Sequence, residues 1–332
     1  MKAMTYTALL MMKKVSLARR TLKRVLPASW RAILRRLFLE EGFHLYPCDC
    51  FSRFRPDRTS FGRWLAYETR FRLWRLTYGR RARLERPIFM IGCPRSGTGI
   101  SVRLFALHPD VANLSEAPDI WDPWHYRDLT ADDHWSAADV TPKEAARLHA
   151  RFEFHRRFEG KERFINKHPP NSVRLDYIRT VFPDAVFIHI VRDGRPVAAS
   201  IVEFVERIPR FRDVPMPICR PPNWRELVRP NRAVEAALQW RALVSLILAK
   251  RSELGPAYHE IRYEALCEDP RGILGAAFRF AGLRADDEVL ARLPERLESQ
   301  NCKWRPKLTP EEIEQVTAVQ EPLLKELGYA HK

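Results

Sequence analysis

Residues 87–107 read Pro-Ile-Phe-Met-Ile-Gly-Cys-Pro-Arg-Ser-Gly-Thr-Gly-Ile-Ser-Val-Arg-Leu-Phe-Ala-Leu. The four apolar residues 88–91 predict a short buried strand, and the apolar spacing after Thr98 predicts a helix. Between the two, residues 92–97 form a turn with a glycine at each end. Such a turn leaves backbone N–H groups free, and the dipole of the following helix adds positive potential. The segment therefore predicts an anion site between a strand and a helix.

The spacing of Gly92 and Gly97 is that of a phosphate-binding loop (P-loop) in an NTPase. The lysine that reaches the β- and γ-phosphates in such a loop is absent, because Thr98 occupies its position. Arg95 lies inside the turn instead. The loop consequently favours an anion other than a nucleoside triphosphate, and a kinase or NTPase with an unusual loop is kept as the alternative.

The positive charge of the chain is concentrated at its N-terminal end. The 332 residues carry a formal charge of +16. Residues 1–86 contain 21 Lys and Arg against 6 Asp and Glu, whereas residues 87–332 contain 36 against 35. The net charge therefore says little about the partner of the larger part. We predict a basic, aromatic-rich helical extension over residues 1–86 and a catalytic domain over residues 87–332.

Residues 13–39 combine nine Lys and Arg with apolar side chains and contain no acidic residue. Pro27 divides them into two helical segments. A basic amphipathic helix is suited to an anionic membrane surface, and packing on the rest of the protein is the alternative. A mitochondrial transit peptide is a further alternative. The aromatic side chains of residues 64, 71, 74 and 78 lie at helical spacing, which favours a buried helix face over a nucleic-acid platform.

The sequence offers little sign of a membrane span or a metal site. The longest uncharged apolar run near the start, residues 3–12, has ten residues, whereas a span needs about 20. Of the six cysteines only Cys48 and Cys50 are close together, and a lone Cys-x-Cys is a poor metal site. We expect free thiols, no metal and a cytoplasmic protein, peripheral to a membrane if residues 13–39 bind one. The sequence predicts no oligomeric state.

From residue 87 onward, predicted strands and helices alternate. Further strands are predicted at 163–166, 186–191 and 259–263, and helices from 142, at 172–182, after 194, and at 232–252, 270–281, 286–298 and 310–326. Residues 113–124 are expected to be irregular, and residues 117–135 and 208–231 to form acceptor loops. The alternation predicts a three-layer α/β/α fold with a central, mostly parallel sheet, in which 186–191 is an internal strand.

A second turn with phosphate-type donors follows the strand 186–191. Arg192 stands at its start and Ser200 lies in the helix after it. The carboxyl ends of parallel strands meet at one edge of a sheet, so both turns should face the same ligand. Arginine can meet phosphate oxygens with two parallel bonds. We predict a ligand with two separated anionic groups. A salt bridge with Asp193 and a buried helix serine are the alternatives for Arg192 and Ser200.

Taken together, the two turns resemble the sulfotransferase family, which transfers a sulfuryl group from 3′-phosphoadenosine 5′-phosphosulfate (PAPS). Residues 94–98 resemble its 5′-phosphosulfate loop, and residues 191–195 with Ser200 resemble its 3′-phosphate site. Supporting matches are Asn166-Lys167, Arg262-Tyr263-Glu264 with Asp269-Pro270, and Lys303-Trp304. Gly99 departs from the family, which more often has Thr or Ser there. The flanks look most similar to the branch that contains tyrosylprotein sulfotransferases and bacterial relatives.

The resemblance implies a PAPS site, no metal and a set of catalytic residues. PAPS would be bound by Pro94, Arg95, Ser96, Gly97, Thr98, Gly99, Arg192, Ser200, Lys303 and Trp304. In the resembled branch a glutamate is the base, and Glu116 matches it here, with His168 as the alternative base. Arg95 would stabilise the leaving phosphate, and Lys167 would be a second cation. Glu264 is expected to anchor its loop rather than to react.

The acceptor implied by the resemblance carries a hydroxyl group. A glycan, a lipid, a small molecule and a protein tyrosine all fit this description, and the sequence does not choose among them. A non-catalytic module that binds a membrane or nucleic acid on the same fold is the remaining alternative. The presence of Arg95, Glu116 and Lys167 together favours the enzyme.

Overall fold

The computed structural model describes residues 58–123 and 132–329. The basic segment 13–39 and the Cys48–Cys50 pair lie outside the described residues. So does part of the predicted acceptor loop 117–135. The structural statements below concern the described residues.

A five-stranded parallel sheet forms the centre of the described fold. Its strands are β1 (Ile88–Ile91), β2 (Val111–Asn113), β3 (Arg163–Lys167), β4 (Val186–Val191) and β5 (Tyr258–Arg262). The spatial order is β2-β3-β1-β4-β5, and every neighbouring pair is parallel. All residues of β1 and β4 are buried, as near-continuous apolar runs in parallel sheets predict; His189 is the one polar residue of the two strands. Because β1 is the middle strand, the loop that follows it leaves from the centre of the sheet edge.

Helices flank the sheet along the whole described chain. They are α1 (Arg58–Thr77), α2 (Thr98–Phe105), α3 (Pro118–Trp121), α4 (Pro142–Phe158), α5 (Leu175–Val181), α6 (Gly194–Arg207), α7 (Trp224–Leu227), α8 (Arg232–Leu254), α9 (Tyr263–Glu268), α10 (Pro270–Phe280), α11 (Asp287–Leu290) and α12 (Pro310–Glu326). Residues 208–231 contain only short helical pieces, as predicted from their proline content.

The helices cover both faces of the sheet. Successive side chains of a strand point to opposite faces, and β1 follows this rule. Ile88 and Met90 pack in one apolar cluster with α2 and α10, whereas Phe89 and Ile91 pack in another with α4 and α5. Helices α6, α8 and α12 extend the second face with a third cluster. The predicted three-layer α/β/α architecture with a parallel central sheet is confirmed.

Two predicted segments differ from the structure. The predicted irregular segment 113–124 is only partly irregular, since residues 114–117 lack regular structure whereas Asn113 ends β2 and α3 covers Pro118–Trp121. Strand β2 has only three residues, and its apolar and polar residues do not alternate. Its strand conformation is therefore recognised from its pairing with β3 and not from its sequence. The predicted helix 286–298 is wrong in extent, because α11 ends at Leu290. Pro294 follows, and residues before a proline disfavour helical geometry.

Helix α1 packs against α4 on one side. Phe71 is buried and lies edge-to-face on Phe154, with ring centroids 5.3 Å apart. Arg151 donates two hydrogen bonds to the Glu68 carboxylate, at 2.7 and 3.2 Å. The predicted buried face of this helix is therefore present at Phe71, but it does not extend to Tyr78, which is 66% exposed. The predicted domain boundary after residue 86 stays a prediction.

No helix within 58–123 and 132–329 is long and apolar enough to cross a membrane. In the same two ranges, His, Cys, Asp and Glu side chains do not gather in threes as metal ligands would. The four cysteines of these ranges, Cys93, Cys219, Cys267 and Cys302, are free thiols.

Candidate active site

The loop between β1 and α2 has a backbone shape that glycine permits. Gly92 and Gly97 have φ angles of 143° and 100°, a region that side chains disfavour. A Cβ atom on Gly97 would lie 2.4 Å from the Tyr263 ring, and one on Gly92 would lie 2.6 Å from the Ile190 carbonyl oxygen. Gly97 is also the N-cap of α2, whose first N–H groups have no partner within the helix. The loop therefore offers backbone donors to an anion.

Arg95 joins this loop to α6. Its Nε atom donates a hydrogen bond to the Ser200 hydroxyl at 3.1 Å, and its guanidinium group lies 4.9 Å from the centre of the Phe204 ring. Burial lowers the pKa of Arg95, and the nearby charge of Arg207 acts in the same direction. The arginine keeps its charge at neutral pH all the same. The two loops that the sequence assigned to one ligand are thus in direct contact.

Arg192 follows β4 and is held at three points. Its Nε atom donates to Asn301 Oδ1 at 2.8 Å, and its Nη1 atom donates to the Arg95 carbonyl oxygen at 3.0 Å. Its guanidinium group lies 4.3 Å from the centre of the Tyr263 ring. Burial lowers its pKa. These contacts leave the rest of the guanidinium group facing the cleft between the two loops.

The alternative salt bridge between Arg192 and Asp193 is not formed. Asp193 instead accepts hydrogen bonds from Arg195 through both carboxylate oxygens, at 3.0 and 2.6 Å. It also accepts the backbone N–H of Arg195 and so caps α6. The start of this helix is therefore fixed by a buried ion pair that does not engage Arg192.

Glu264 supports Arg192 from behind rather than facing the cleft. It accepts hydrogen bonds from Asn301 Nδ2 at 2.7 Å and from the Tyr329 hydroxyl at 2.8 Å. A third, longer bond comes from the backbone N–H of Asp193 at 3.3 Å. Because its Nδ2 group is bonded to Glu264, Asn301 presents its Oδ1 atom to Arg192. The sequence anticipated the anchoring role of Glu264 but not Asn301.

The pairing of β2 with β3 brings Glu116 to Lys167. Asn113 lies opposite Ile165 in the register, and the ladder continues beyond β2, with Leu114 N–H on the Ile165 carbonyl and Glu116 N–H on the Lys167 carbonyl at 2.7 Å. The Lys167 ammonium group donates to Glu116 Oε1. The Glu116 side chain is 56% exposed and that of Lys167 is 8% exposed. The carboxylate is therefore accessible, and its partner is embedded in the protein.

His168, the alternative base, lies in a different environment. Both of its neighbours, Lys167 and Pro169, line the cleft, but His168 does not. The side chain is buried, and its Nδ1 atom has no hydrogen-bond partner. Burial lowers its pKa well below the ordinary value of 6.5, and the charges of Arg174 and Lys167 act in the same direction. Burial thus disfavours the protonated imidazole, and the side chain does not line the cleft.

A single cleft of about 640 Å³ collects nearly all the predicted site residues. It is lined by Pro94, Arg95, Gly97, Thr98, Gly99, Glu116, Lys167, Arg192, Ser200, Lys303 and Trp304, among others. Ser96 is the exception, since its side chain is fully buried and does not line the cleft. Trp304 is 7% exposed and packs in the cluster of α6, α8 and α12. Lys303 donates to Glu298 at 2.5 Å.

Several residues of the cleft were missed by sequence reasoning. One face of α6 forms a wall of the cleft through Pro196, Ala199, Ser200, Glu203, Phe204 and Arg207. Their spacing is that of a single helix face. Counting three, four and seven positions on from Ser200 would have found Glu203, Phe204 and Arg207. Lys307, which donates to Glu203 at 2.6 Å, lies far away in sequence and gave no such signal.

The cleft carries a positive balance of charge. Seven Lys and Arg residues line it, against the two carboxylates Glu116 and Glu203. Such a site favours a ligand with several anionic groups, which the backbone donors of the first loop also suit. Glu116 adds an accessible group that can accept a proton. The arrangement can bind a polyanion and remove a proton beside it.

Comparison with known proteins identifies the family. Residues 87–287 match the sulfotransferase family. This match covers more than half of the chain. The chain belongs to the sulfotransferase family. The resemblance to this family that the two loops suggested is confirmed.

Two relatives of known name share part of this sulfotransferase sequence. The nodulation protein NoeE of Sinorhizobium fredii is 29% identical over 287 residues, which are 73% of this chain and 65% of NoeE. Stf3 of Mycobacterium tuberculosis, named as an omega-hydroxy-beta-dihydromenaquinone-9 sulfotransferase, is 27% identical over 156 residues, 42% of this chain and 34% of Stf3. The chain thus spans less than two thirds of either relative.

The fold is also that of a solved sulfotransferase. The crystal structure of STF9 from Mycobacterium avium superposes with a TM-score of 0.52 at 19% identity, covering 94% of this chain and 95% of STF9. At this identity the likeness concerns the fold. It agrees with the parallel sheet and flanking helices described above.

Proposed function

We propose that this sulfotransferase transfers a sulfuryl group from PAPS to an acceptor hydroxyl, with Glu116 as the base. One observation carries the proposal. The two predicted anion loops touch through Arg95 and Ser200, at 3.1 Å, and share a cleft with the Glu116–Lys167 pair. Such a cleft suits a donor that carries phosphate groups at both ends, and Glu116 supplies a proton acceptor beside it.

The residues of the cleft fit PAPS. The N–H groups of Gly92 and Ser96 already donate to Ser172 and Cys93, so the backbone donors at Gly97 and the start of α2 would hold the 5′-phosphosulfate end. Arg192 and Ser200 would hold the 3′-phosphate, and Lys303 and Trp304 would flank the nucleoside. When bound, PAPS supplies a sulfuryl group attached to a phosphate leaving group. The positive lining matches the several negative charges of this donor.

The reactive roles follow from exposure and charge. Glu116 is accessible in the cleft, so its carboxylate can take the proton of an acceptor hydroxyl. Lys167 holds that carboxylate in place and brings positive charge to the same point. Arg95 lies within the first loop, where negative charge on the leaving phosphate would grow, and cationic groups lower the barrier there.

The test is transfer from labelled PAPS to a panel of hydroxyl acceptors. We expect Glu116→Gln to lower turnover by at least about 100-fold, the lower end of the range that general bases contribute. Glu203→Gln is the matched control, since it neutralises the other carboxylate of the cleft. Activity that survives Glu116→Gln but is lost in His168→Asn would transfer the role of base to the histidine.

Nucleotide binding tests the donor independently of the acceptor. We expect 3′-phosphoadenosine 5′-phosphate to bind the wild-type protein, and Arg192→Ala to weaken that binding by at least about tenfold, because it removes a charge-assisted contact. Calorimetric titration measures the dissociation constant. A wild-type protein without affinity for this nucleotide would contradict the proposed donor.

We further propose that the protein meets its acceptor at an anionic membrane. The basic segment 13–39 supports this, although it lies outside the described residues. Four apolar side chains on α1, just after it and at the end of α4 are exposed: Leu73, Leu76, Tyr78 and Phe158, at 61, 64, 66 and 41%. Stf3 is named for a hydroxylated menaquinone. Such an acceptor would itself be membrane-borne.

Vesicle co-sedimentation tests the membrane proposal. The full chain should sediment with vesicles that contain phosphatidylserine and not with neutral phosphatidylcholine vesicles, with a loss at high salt. The truncated comparison should begin at Arg58, because a chain beginning later would lack α1 and leave Arg151 without Glu68. Equal sedimentation of the full chain with neutral and anionic vesicles would contradict the proposal, as would failure to sediment with either kind.

A further inference from the structure

A buried amide lies directly beside the proposed catalytic lysine. Asn166 belongs to β3, between Ile165 and Lys167, and its side chain is fully buried. Its Oδ1 atom accepts hydrogen bonds from Trp121 Nε1 at 3.2 Å and from Asn171 Nδ2 at 2.7 Å. Its Nδ2 group donates to the Leu114 carbonyl oxygen. The amide therefore bonds to Leu114, which precedes Glu116 in the chain, and to Trp121, which follows it.

The orientation of the amide follows from its partners. An indole N–H group can only donate a hydrogen bond, so the Asn166 atom that faces Trp121 must be the carbonyl oxygen. The NH₂ group must then face the Leu114 carbonyl, which can only accept. The two contacts are complementary, and reversing the amide would oppose like groups at both ends. Asn166 is in this way matched to the loop that runs from Leu114 to Trp121.

The loop between these two points holds Glu116 in an unfavourable conformation. The φ angle of Glu116 is 51°, in the left-handed region that costs a non-glycine residue on the order of 1–2 kcal/mol. Such a conformation persists when surrounding contacts impose it. The ladder bonds of Leu114 and Glu116 to β3 hold one side of the loop. The Asn166 amide adds one bond at Leu114 and a second at Trp121, at the end of α3.

We propose that Asn166 is a positioning residue, whose amide clamps both ends of the 114–121 loop and so keeps the Glu116 carboxylate at Lys167 in the cleft. The inference rests on the proposed role of Glu116 as base. The amide itself is buried and does not line the cleft. Its effect on turnover is therefore indirect, through the location and direction of one carboxylate.

Asn166→Asp is the informative variant. It keeps the shape and the two accepting contacts but replaces the donor at the Leu114 carbonyl with a second acceptor. We expect kcat to fall by about 10- to 100-fold, since a displacement of about 1 Å at a reacting group has a cost of this size. The dissociation constant of 3′-phosphoadenosine 5′-phosphate should change by less than about twofold, because Arg95 and Arg192 are held by other contacts.

A second variant guards against a folding defect caused by a buried carboxylate. Trp121→Phe removes the indole N–H and keeps an aromatic ring in the same apolar cluster. We expect a smaller fall in kcat, of several-fold, again with unchanged nucleotide affinity. The matched control is Ser115→Ala, next to Glu116. It removes the 2.5 Å hydrogen bond from the Ser115 hydroxyl to Asn113 Oδ1, a contact that does not involve Asn166. Its kcat should stay within about twofold of wild type.

Combining variants separates positioning from a general structural role. If Asn166 acts through Glu116, then Asn166→Asp should cause no further loss of kcat in a Glu116→Gln background, because non-additivity marks groups that act as a unit. A double variant whose kcat falls by the product of the two single losses would overturn the inference. So would a wild-type kcat in Asn166→Asp, or a loss of nucleotide affinity in Asn166→Asp that parallels its loss of kcat.

The same experiments distinguish this inference from the proposed function. If the wild-type protein transfers no sulfuryl group from PAPS, or if Glu116→Gln retains wild-type turnover, the proposed function fails and the positioning role fails with it. If Glu116→Gln is inactive while Asn166→Asp is fully active, only the positioning role fails.

Discussion

Replacing Gly97 with alanine is the sharpest test of the phosphate loop. The residue has a φ angle of 100°, which alanine reaches only with a backbone cost of about 1–3 kcal/mol. The added Cβ atom would also lie 2.4 and 2.9 Å from two atoms of the Tyr263 ring. That ring is 4% exposed and lies against Arg192, so it cannot move aside freely. Overpacking of this kind adds about 1–3 kcal/mol.

These two effects predict a destabilisation of about 3 kcal/mol or more for Gly97→Ala. For a domain of this size each kcal/mol lowers Tm by about 2–4 °C, so we expect a fall of roughly 6–12 °C in a thermal melt followed by circular dichroism. Because the ring that must yield supports Arg192, the dissociation constant of 3′-phosphoadenosine 5′-phosphate should rise by at least about tenfold in a calorimetric titration.

Gly99→Ala is the matched control for stability. It lies two residues further on, inside α2, and no atom lies within 4 Å of the Cβ position apart from the adjacent residues and the backbone of α2 itself. Alanine favours a helix over glycine by about 1 kcal/mol, so Tm should be unchanged or slightly higher. Equal melting temperatures for the two variants, with equal nucleotide affinities, would refute the claim that Gly97 is required by its conformation and by Tyr263.

Two further predictions concern one loop and the pH dependence of stability. Arg192→Lys keeps the positive charge but loses the Nε contact to Asn301, so nucleotide affinity should fall about 10- to 100-fold by titration, as charge-assisted hydrogen bonds contribute about 1.5–3 kcal/mol; an unchanged affinity would show that charge alone suffices. Burial lowers the pKa of His155 to about 4 and that of His189 to about 3, so the unfolded chain binds protons that the folded chain refuses, and the free energy of unfolding falls as pH drops below 6.5. Asp119, whose pKa burial raises to about 6, acts in the opposite direction, but burial also lowers the pKa of His168 and adds to the loss. We therefore expect a lower free energy of unfolding at pH 5 than at pH 7 in urea titrations; equal or greater stability at pH 5 would contradict it.

Both anion loops could be predicted from the sequence because each depends on local chemistry. Arg95 lies four residues after the apolar strand Ile88–Ile91, and Arg192 directly follows the strand Val186–Val191, which is apolar except for His189. In both cases a glycine and a helix start follow closely. Short-range geometry sets the shape of such turns, and parallel topology places them at one edge. The structure adds the contact between them, through the Ser200 hydroxyl and the Arg95 carbonyl.

The rest of the cleft could not be predicted in this way. Lys307 and Asn301 come from a segment that follows the last strand by about 40 residues, and their approach depends on how the chain returns over α6. Strand β2 was missed as well, since three residues without alternation carry no strand signal of their own. Without β2, the route by which Glu116 reaches the cleft cannot be derived.

The sequence by itself determined the class of this protein: a parallel α/β fold, two arginine-bearing turns that follow neighbouring strands, and the sulfotransferase family. Tertiary structure alone decided that Glu116 meets Lys167, because that contact depends on the register of β2 against β3. It likewise brought the buried Asn166 amide into hydrogen-bond contact with both Leu114 and Trp121. Turns follow from neighbouring residues, whereas a register is set by the packing of the whole sheet.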